Sequence, residues 1–387
     1  MTPATKYEYL RAIYDRYRRA GRPERSRILD EFCAVAGYHR KAALRRLNGP
    51  RPDRTPPRRQ CRPPHYTAAV IGPLAAIWEA SGYLWSRRLH AALPLWLPWA
   101  RRRFHLRPEV DQALRTISPA TIDRHLRARK TRWRRRHYGG TRPGVLLKHL
   151  IPIQTEAWHV ARPGFLEIDL VSHSGPAAAG DFLHTLDTVD IHTAWIERRA
   201  VRGRGEVGVC QAIAEIQAAL PFPLRGLDSD NGSEFINYHL KRYCDRQRLQ
   251  FTRGRPYKKD DNAHIEQKNW THVRKVFGYE RYDSARAQAA MNALYRDELR
   301  LFQNGFQPSV RLLRKVRRGA RLTRVYDAPR TPLDRVAACP EANPAAVARL
   351  RRLVETTDPF ELARTIEQKI AHIYTLAARR TPFAHAA

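Results

Sequence analysis

Cysteine is scarce and scattered: the five in 387 residues are Cys33, Cys61, Cys210, Cys244 and Cys339. No two form a CxxC pair and none has a histidine at ligand spacing. That excludes zinc ribbons and a disulfide framework and leaves reduced, core-type thiols. Long apolar runs are missing too. Nothing approaches eighteen consecutive apolar residues, and the first ten residues, MTPATKYEYL, carry no apolar signal segment. A soluble, intracellular, cytoplasmic protein with no membrane partner is expected. Acidic residues are few: 37 Asp plus Glu stand against 71 Lys plus Arg, a formal charge of +34. This excess is more than solubility needs. It favours a polyanionic partner whose binding weakens steeply with salt. Charge alone does not separate DNA from RNA. Length and a hydrophobic share of 43% allow two to four modules.

Three of the few carboxylates sit in informative contexts. Phe165 to Val171 follows a Pro-Gly breaker and alternates apolar with acidic, as a strand with Glu167 and Asp169 on one face. Leu224 to Phe235 (LRGLDSDNGSEF) reads as a short strand ending at Asp230 and breaking on Asn-Gly, a turn dipeptide. Strand ends are where α/β proteins place chemistry. Asp260 to Trp270 (DDNAHIEQKNW) leads into a helix with Glu266 near its start, and thirty-five residues separate Asp230 from Glu266. Mg²⁺ prefers carboxylate oxygen, and two such ions about 4 Å apart can clamp the attacking and leaving oxygens of a phosphodiester. Asp169, Asp230 and Glu266 therefore read as the catalytic and metal-holding residues of a two-metal phosphoryl-transfer site, with Mn²⁺ an alternative to Mg²⁺. Asp228 lies on the same strand face as Asp230, in a supporting or a structural role. Asp187 and Asp190 fit a hairpin between the second and third strands. Glu234 reads as a water-orienting group or a helix cap, and Asn262 and His264 as substrate contacts or turn residues.

The order of these segments, EIDL, LDSDNGSEF and DDNAHIEQKNW, resembles the catalytic core of the retroviral-integrase superfamily, as found in bacterial insertion-sequence transposases. The resemblance covers about residues 165–270. It implies an RNase H-like α/β fold with a central mixed sheet, and Asp169, Asp230 and Glu266 as first, second and third ligands of two Mg²⁺ ions. It also implies strand cleavage and 3′-OH strand transfer on the terminal inverted repeats of a mobile element and on target DNA, with at least a dimer in the working complex. One position departs from the pattern. Members often carry Lys or Arg seven residues after the Glu; here that residue is Val273, and the basic one is Arg274. The paired His and Cys of a zinc-binding integrase N-terminal domain are also missing.

Helical modules precede the core. Residues 1–48 read as a helix-turn-helix-like unit: an amphipathic helix from Lys6, a break at Gly21-Arg22-Pro23, a helix from Ser26 to Ala36, a turn at Gly37, and a basic helix from Tyr38 to Leu47. That last helix suits a major groove through Arg40, Lys41 and Arg45; a plain helical bundle is the alternative. Residues 49–65 form a Pro/Arg-rich linker. In 66–140, a second helical DNA-binding module, Val70 to Trp78 is an apolar helix broken at Gly82. Ser118 caps a recognition helix starting at Pro119 and offering Thr121, Arg124 and Arg127. The basic run after Arg129 is expected to touch phosphate. A connector, 141–161, enters the core, 162–282. From the core, Asn262, Lys268 and Arg274 are further candidates for DNA contact. Residues 283–387 are read as mostly helical, with Lys315 to Tyr326 a small basic β element and two closing helices from about Asn343 to Arg379. The function expected is that of a DNA transposase. The alternatives are a DNA-binding regulator without chemistry and an RNase H-like nuclease that cuts without joining.

Overall fold

The computed structural model describes residues 1–52, 66–134, 160–176, 179–203, 206–229, 238–253, 265, 269–319 and 321–378. Contacts divide the chain into two units, Met1–His65 and Tyr66–Ala387.

In the first unit, helices α1 (Pro3–Arg19), α2 (Arg22–Ala36) and α3 (Arg40–Leu47) close on a core of Tyr17, Ile28, Phe32 and Leu47. Each turn has a local cause. Pro3 and Pro23 start helices at positions whose N–H would be unpaired anyway. Gly37, at φ 64°, ends α2 in the left-handed conformation that glycine adopts without strain.

The second unit is mixed α/β. Four helices come first: α4 (Ala68–Ala80), α5 (Ser86–Phe104), α6 (Pro108–Thr116) and α7 (Pro119–Arg134). The N-cap at Ser118 is present, its Oγ accepting from the Thr121 amide at 3.2 Å. The α5 helix was not legible, because Pro94 and Pro98 lie inside it. Both prolines face outward, while Leu93, Trp96 and Leu97 on the opposite side are fully buried. Burial of that stripe outweighs the loss of ladder bonds.

A five-stranded sheet follows, in the order β3-β2-β1-β4-β5: β1 (Phe165–Ser172), β2 (Leu183–Asp190), β3 (Ile196–Arg202), β4 (Gly226–Ser229) and β5 (Gln250–Arg253). Strands β1, β2 and β3 pair antiparallel, while β4 and β5 add in parallel. This is a central mixed sheet, as the resemblance implies. The parallel additions are reached through helical crossovers, α8 (Glu206–Ala219) before β4 and α9 (Tyr238–Gln247) before β5. Both helices pack on the face carrying Leu166, Ile168, Leu186 and Leu227.

After the sheet, α10 runs π-helically over Asn269–Arg274 and α-helically over Lys275–Phe277. The long α11 starts as Ala285–Leu294 and passes through π turns at Tyr295–Leu299 and Phe302–Phe306. It covers the outer edge of β3. The Asn292 carboxamide exchanges bonds with both backbone groups of Ala200, at 2.8 and 3.0 Å, and Asn304 does the same for Ile196, at 3.0 and 2.9 Å. These two side chains replace a missing neighbour strand. The basic β element is present as a hairpin, β6 (Leu312–Arg318) and β7 (Arg321–Tyr326), tied down at its base by the Ser309–Arg330 bridge. Helices α12 (Pro332–Ala337), α13 (Pro344–Thr356) and α14 (Pro359–Thr375) close the chain. No described helix is long and apolar enough to cross a membrane.

Candidate active site

Asp169 lies in the middle of the sheet, on β1. Strand alternation sends Glu167 and Asp169 to the face opposite Leu166 and Ile168, and both meet the segment that carries Glu266 in the sequence. Glu167, buried, accepts the Ile265 amide on Oε2 at 2.9 Å. Asp169 accepts the Leu170 amide on Oδ1 at 2.7 Å and the Asn269 carboxamide Nδ2 on Oδ2. On the other side of β1, Ile168 stands beside Ser229 in parallel register, and Glu167 beside Asp228. Asp228 is itself held by the Thr252 hydroxyl at 2.8 Å.

Asp230, Glu266, Asn262 and Lys268 lie outside the described residues, as do Glu234, His264, the linker from 53 to 65 and the connector up to 159. Among the described residues no three His, Cys, Asp or Glu side chains converge as a metal site. Asp169 offers one carboxylate. Beside it, Asn269 keeps its Oδ1 buried with no hydrogen-bond partner among the described residues. Asn269 turns its nitrogen to Asp169, so the carboxylate is the donor shown here, and hard carboxylate oxygen suits Mg²⁺. Asn269 was not singled out in the sequence. Its only signal is that it follows Glu266 by three positions, one helical turn.

Two arginines support this face. Arg274 donates to the Ser172 carbonyl at 2.7 Å and stacks over Tyr279, its guanidinium 5.0 Å from the ring centre. Burial lowers its pKa, while the field of Tyr279 and then of Asp169 raises it. Val273 is fully buried, so Arg274 is the basic side chain this turn of α10 presents near Asp169. Arg198, fully buried on β3, donates to the His272 carbonyl of α10 at 2.9 Å. It lies 3.7 Å from Asp187 and over the Tyr295 ring at 5.1 Å. Desolvation lowers the Arg198 pKa, opposed by Asp187.

Asp187 and Asp190 both lie on the antiparallel β2–β3 hairpin. Asp187 is inside β2, the Cα partner of Asp169 on one side and of Arg198 on the other, and fully buried beside that arginine. Asp190 does hold the turn, accepting the Gly164 and Thr193 amides at 2.7 Å each and the Thr193 hydroxyl at 2.6 Å. Below these groups, Thr185 links the Tyr295 hydroxyl at 2.7 Å to His173 Nε2 at 2.8 Å. Burial pushes the His173 imidazole down to about 3, so it is neutral.

Of the other candidates, Arg40 is engaged by Asp30 and by Ser26 Oγ at 3.3 Å, whereas Lys41 and Arg45 are exposed on α3. On α7, Arg124 reaches Thr121 Oγ1 at 3.4 Å, and Arg127 is exposed.

No family model matches the chain. Among solved structures, the catalytic core domain of BIV integrase is similar at a TM-score of 0.28 and 15% identity, over 44% of this chain and 91% of that one. The HTLV-2 integrase catalytic core domain in complex with magnesium gives 0.29 and 10%, over 38% and 92%. Likeness of this degree says nothing of activity. The uncharacterized protein y4rM of Sinorhizobium fredii (strain NBRC 101917 / NGR234) is 41% identical over 343 residues, 87% of this chain and 96% of that protein. Identity at that level, over nearly the full length of both, places this chain in the same protein family as y4rM.

Proposed function

We propose that the chain is a DNA transposase whose core cuts and rejoins phosphodiester bonds at a site of Asp169, Asp230 and Glu266. The observation that carries the reading is what flanks Asp169. Ser229, the residue before Asp230, stands in register beside Ile168, and the amide of Ile265, the residue before Glu266, is tied to Glu167. Asp230 and Glu266 directly follow these two anchors in the sequence, and the reading gathers three acids from segments distant in sequence, in a chain of formal charge +34.

The carboxylates would hold divalent metal with Asn269 as a neutral neighbour; Mg²⁺ bound there supplies Lewis acidity to the scissile phosphate and acidifies the attacking hydroxyl. The residues themselves supply position. The Leu170 amide and Asn269 fix the Asp169 carboxylate, and Arg274 adds positive charge near it. In the first step water attacks phosphorus and the bond to the 3′ oxygen breaks, freeing a 3′-OH. In the second, that hydroxyl loses its proton and attacks a target phosphodiester, whose own 3′ oxygen leaves. Helices α3 and α7 present Lys41, Arg45, Arg124 and Arg127 to the terminal repeats. Two ends joined together call for at least a dimer.

The test is cleavage and joining of a labelled duplex bearing the terminal repeat that flanks the coding sequence, with Mg²⁺, for wild type and Glu266→Gln. Joined product lost in the variant while DNA binding persists is expected. Binding without cleavage by either protein would make the chain a regulator, and cleavage without joining a nuclease.

A further inference from the structure

A cleft of about 560 Å³ opens between the end of α4, the start of α5, the turn after Asn269 on α10, and helices α11 and α14. Its size falls within the ~300–1,000 Å³ typical of small-molecule sites. One wall is Thr271 to Val276, so the cleft begins within ten residues of Glu266 in the chain.

Its lining carries three kinds of group suited to a ligand. Trp85, at the N-cap of α5, is 44% exposed, a large apolar surface left at the mouth. The turn that sets it is strained: Tyr83 has φ 64°, a left-handed conformation costly for a bulky residue, held by its amide on the Trp78 carbonyl at 2.9 Å. Two cations line it. Lys275 donates to the Gly82 carbonyl at 3.3 Å and lies 5.4 Å above the Tyr83 ring, and Arg88 is half-buried with its Nε on the Pro308 carbonyl. Burial and then the Arg88 charge lower the Lys275 pKa, and burial alone lowers that of Arg88 to about 10. Like charges gathered in a recess favour an anion there. Of the two acids on the lining, Glu79 is paired with Arg129 at 3.3 Å and Glu367 is exposed. The third group is the Gln303 side chain, 5% exposed, whose Oε1 is buried with no hydrogen-bond partner among the described residues.

We propose that this cleft receives one unpaired nucleotide of the DNA on which the core acts, its base against Trp85, its phosphate at Lys275 and Arg88, and a base N–H donated to Gln303. The assignment rests on the transposase reading. An aromatic face, two cations and a buried acceptor match the face of a base, its phosphate and its hydrogen-bonding edge. Stacking is tolerant of base identity and contributes about 1–3 kcal/mol per base, so the cleft serves any sequence that leaves one base free.

The test uses the full chain and a short duplex carrying one unpaired 2-aminopurine, against the same duplex fully paired. Wild type is expected to bind the unpaired form at least about fivefold more tightly, the lower end of one stacking contact, and to quench its fluorescence. Trp85→Ala should lose both effects while binding the paired duplex as before, and Trp85→Phe should keep them. Should Trp85→Ala not fold by circular dichroism, Lys275→Gln is read instead, with the same loss of preference. Equal affinity for the two duplexes in wild type, or an unchanged preference and quench in the variant, overturns the proposal. Wild type that cuts and joins paired ends without that preference rejects the cleft alone. Failure to bind either duplex rejects the transposase reading with it.

Discussion

The two faces of the central sheet are built on opposite principles. Toward α8 and α9, β1 and its neighbours present Leu166, Ile168, Leu186 and Leu227, and the interface is an ordinary apolar core. Toward α10 and α11, the same strands present Glu167, Asp169, Asp187 and Arg198, held by hydrogen bonds and an ion pair, among apolar neighbours such as Leu183 and Ala200. Alternation alone makes this possible, because neighbouring residues point to opposite sides. The apolar face holds the strands together without regard to direction. The polar face fixes the orientation of individual atoms, which the chemistry proposed at Asp169 would require.

The sharpest break in this comparison is Asp169→Asn. It is nearly isosteric, so melting should change little, while cleavage and joining fall about 10³-fold or more, the effect of losing several kcal/mol of metal-centred stabilisation. A variant as active as wild type would remove Asp169 from the site. Next comes Arg198→Met, which leaves Asp187 charged and buried. We expect a loss of about 3–5 kcal/mol in denaturant unfolding, much of it recovered in the double variant with Asp187→Leu. A double variant no more stable than the single would mean the two do not act as a pair. On the apolar face, Ile168→Ala should cost about 2–5 kcal/mol through the cavity it leaves, yet the folded fraction should keep its rate per molecule. If its rate drops as far as that of Asp169→Asn, the faces are not separable.

The smallest effect concerns pH. The folded pKa of His173, about 3, lies below its unfolded value near 6.5. The folded state therefore holds this imidazole neutral. Its contribution is complete above about pH 6.5 and is lost as pH falls from there toward 3, at up to about 1.4 kcal/mol per pH unit. Thermal melts of wild type and His173→Gln at pH 7 and pH 5 should differ in slope, the variant being flatter. Parallel slopes would place the proton elsewhere.

What was legible in the sequence followed short-range rules. The α1–α3 helices, the cap at Ser118, β1 with its two acids on one face, and the β6–β7 hairpin each announce themselves by period or by a turn residue. What escaped depends on long-range partners. The α5 helix was hidden by two prolines, and only the buried stripe of Leu93, Trp96 and Leu97 explains it. Asp187 could be read onto a hairpin, but nothing local indicates that Arg198 stands opposite it on the next strand. Asn269 carried no signal of its own until its contact with Asp169 was visible. Of the predicted triad, Asp169 is the member whose surroundings are described.

The carboxamide clamps on β3 also bear on the chain while it is being made. Ile196 leaves the ribosome 108 residues before Asn304, the side chain that closes its backbone. Over that interval the edge offers open N–H and C=O groups to any neighbouring nascent strand. A fragment ending before Asn292, such as the resemblance region alone, keeps that edge open permanently. Such a piece is expected to pair through that edge with copies of itself. Helix α11 thus covers an edge that the strands before it leave open.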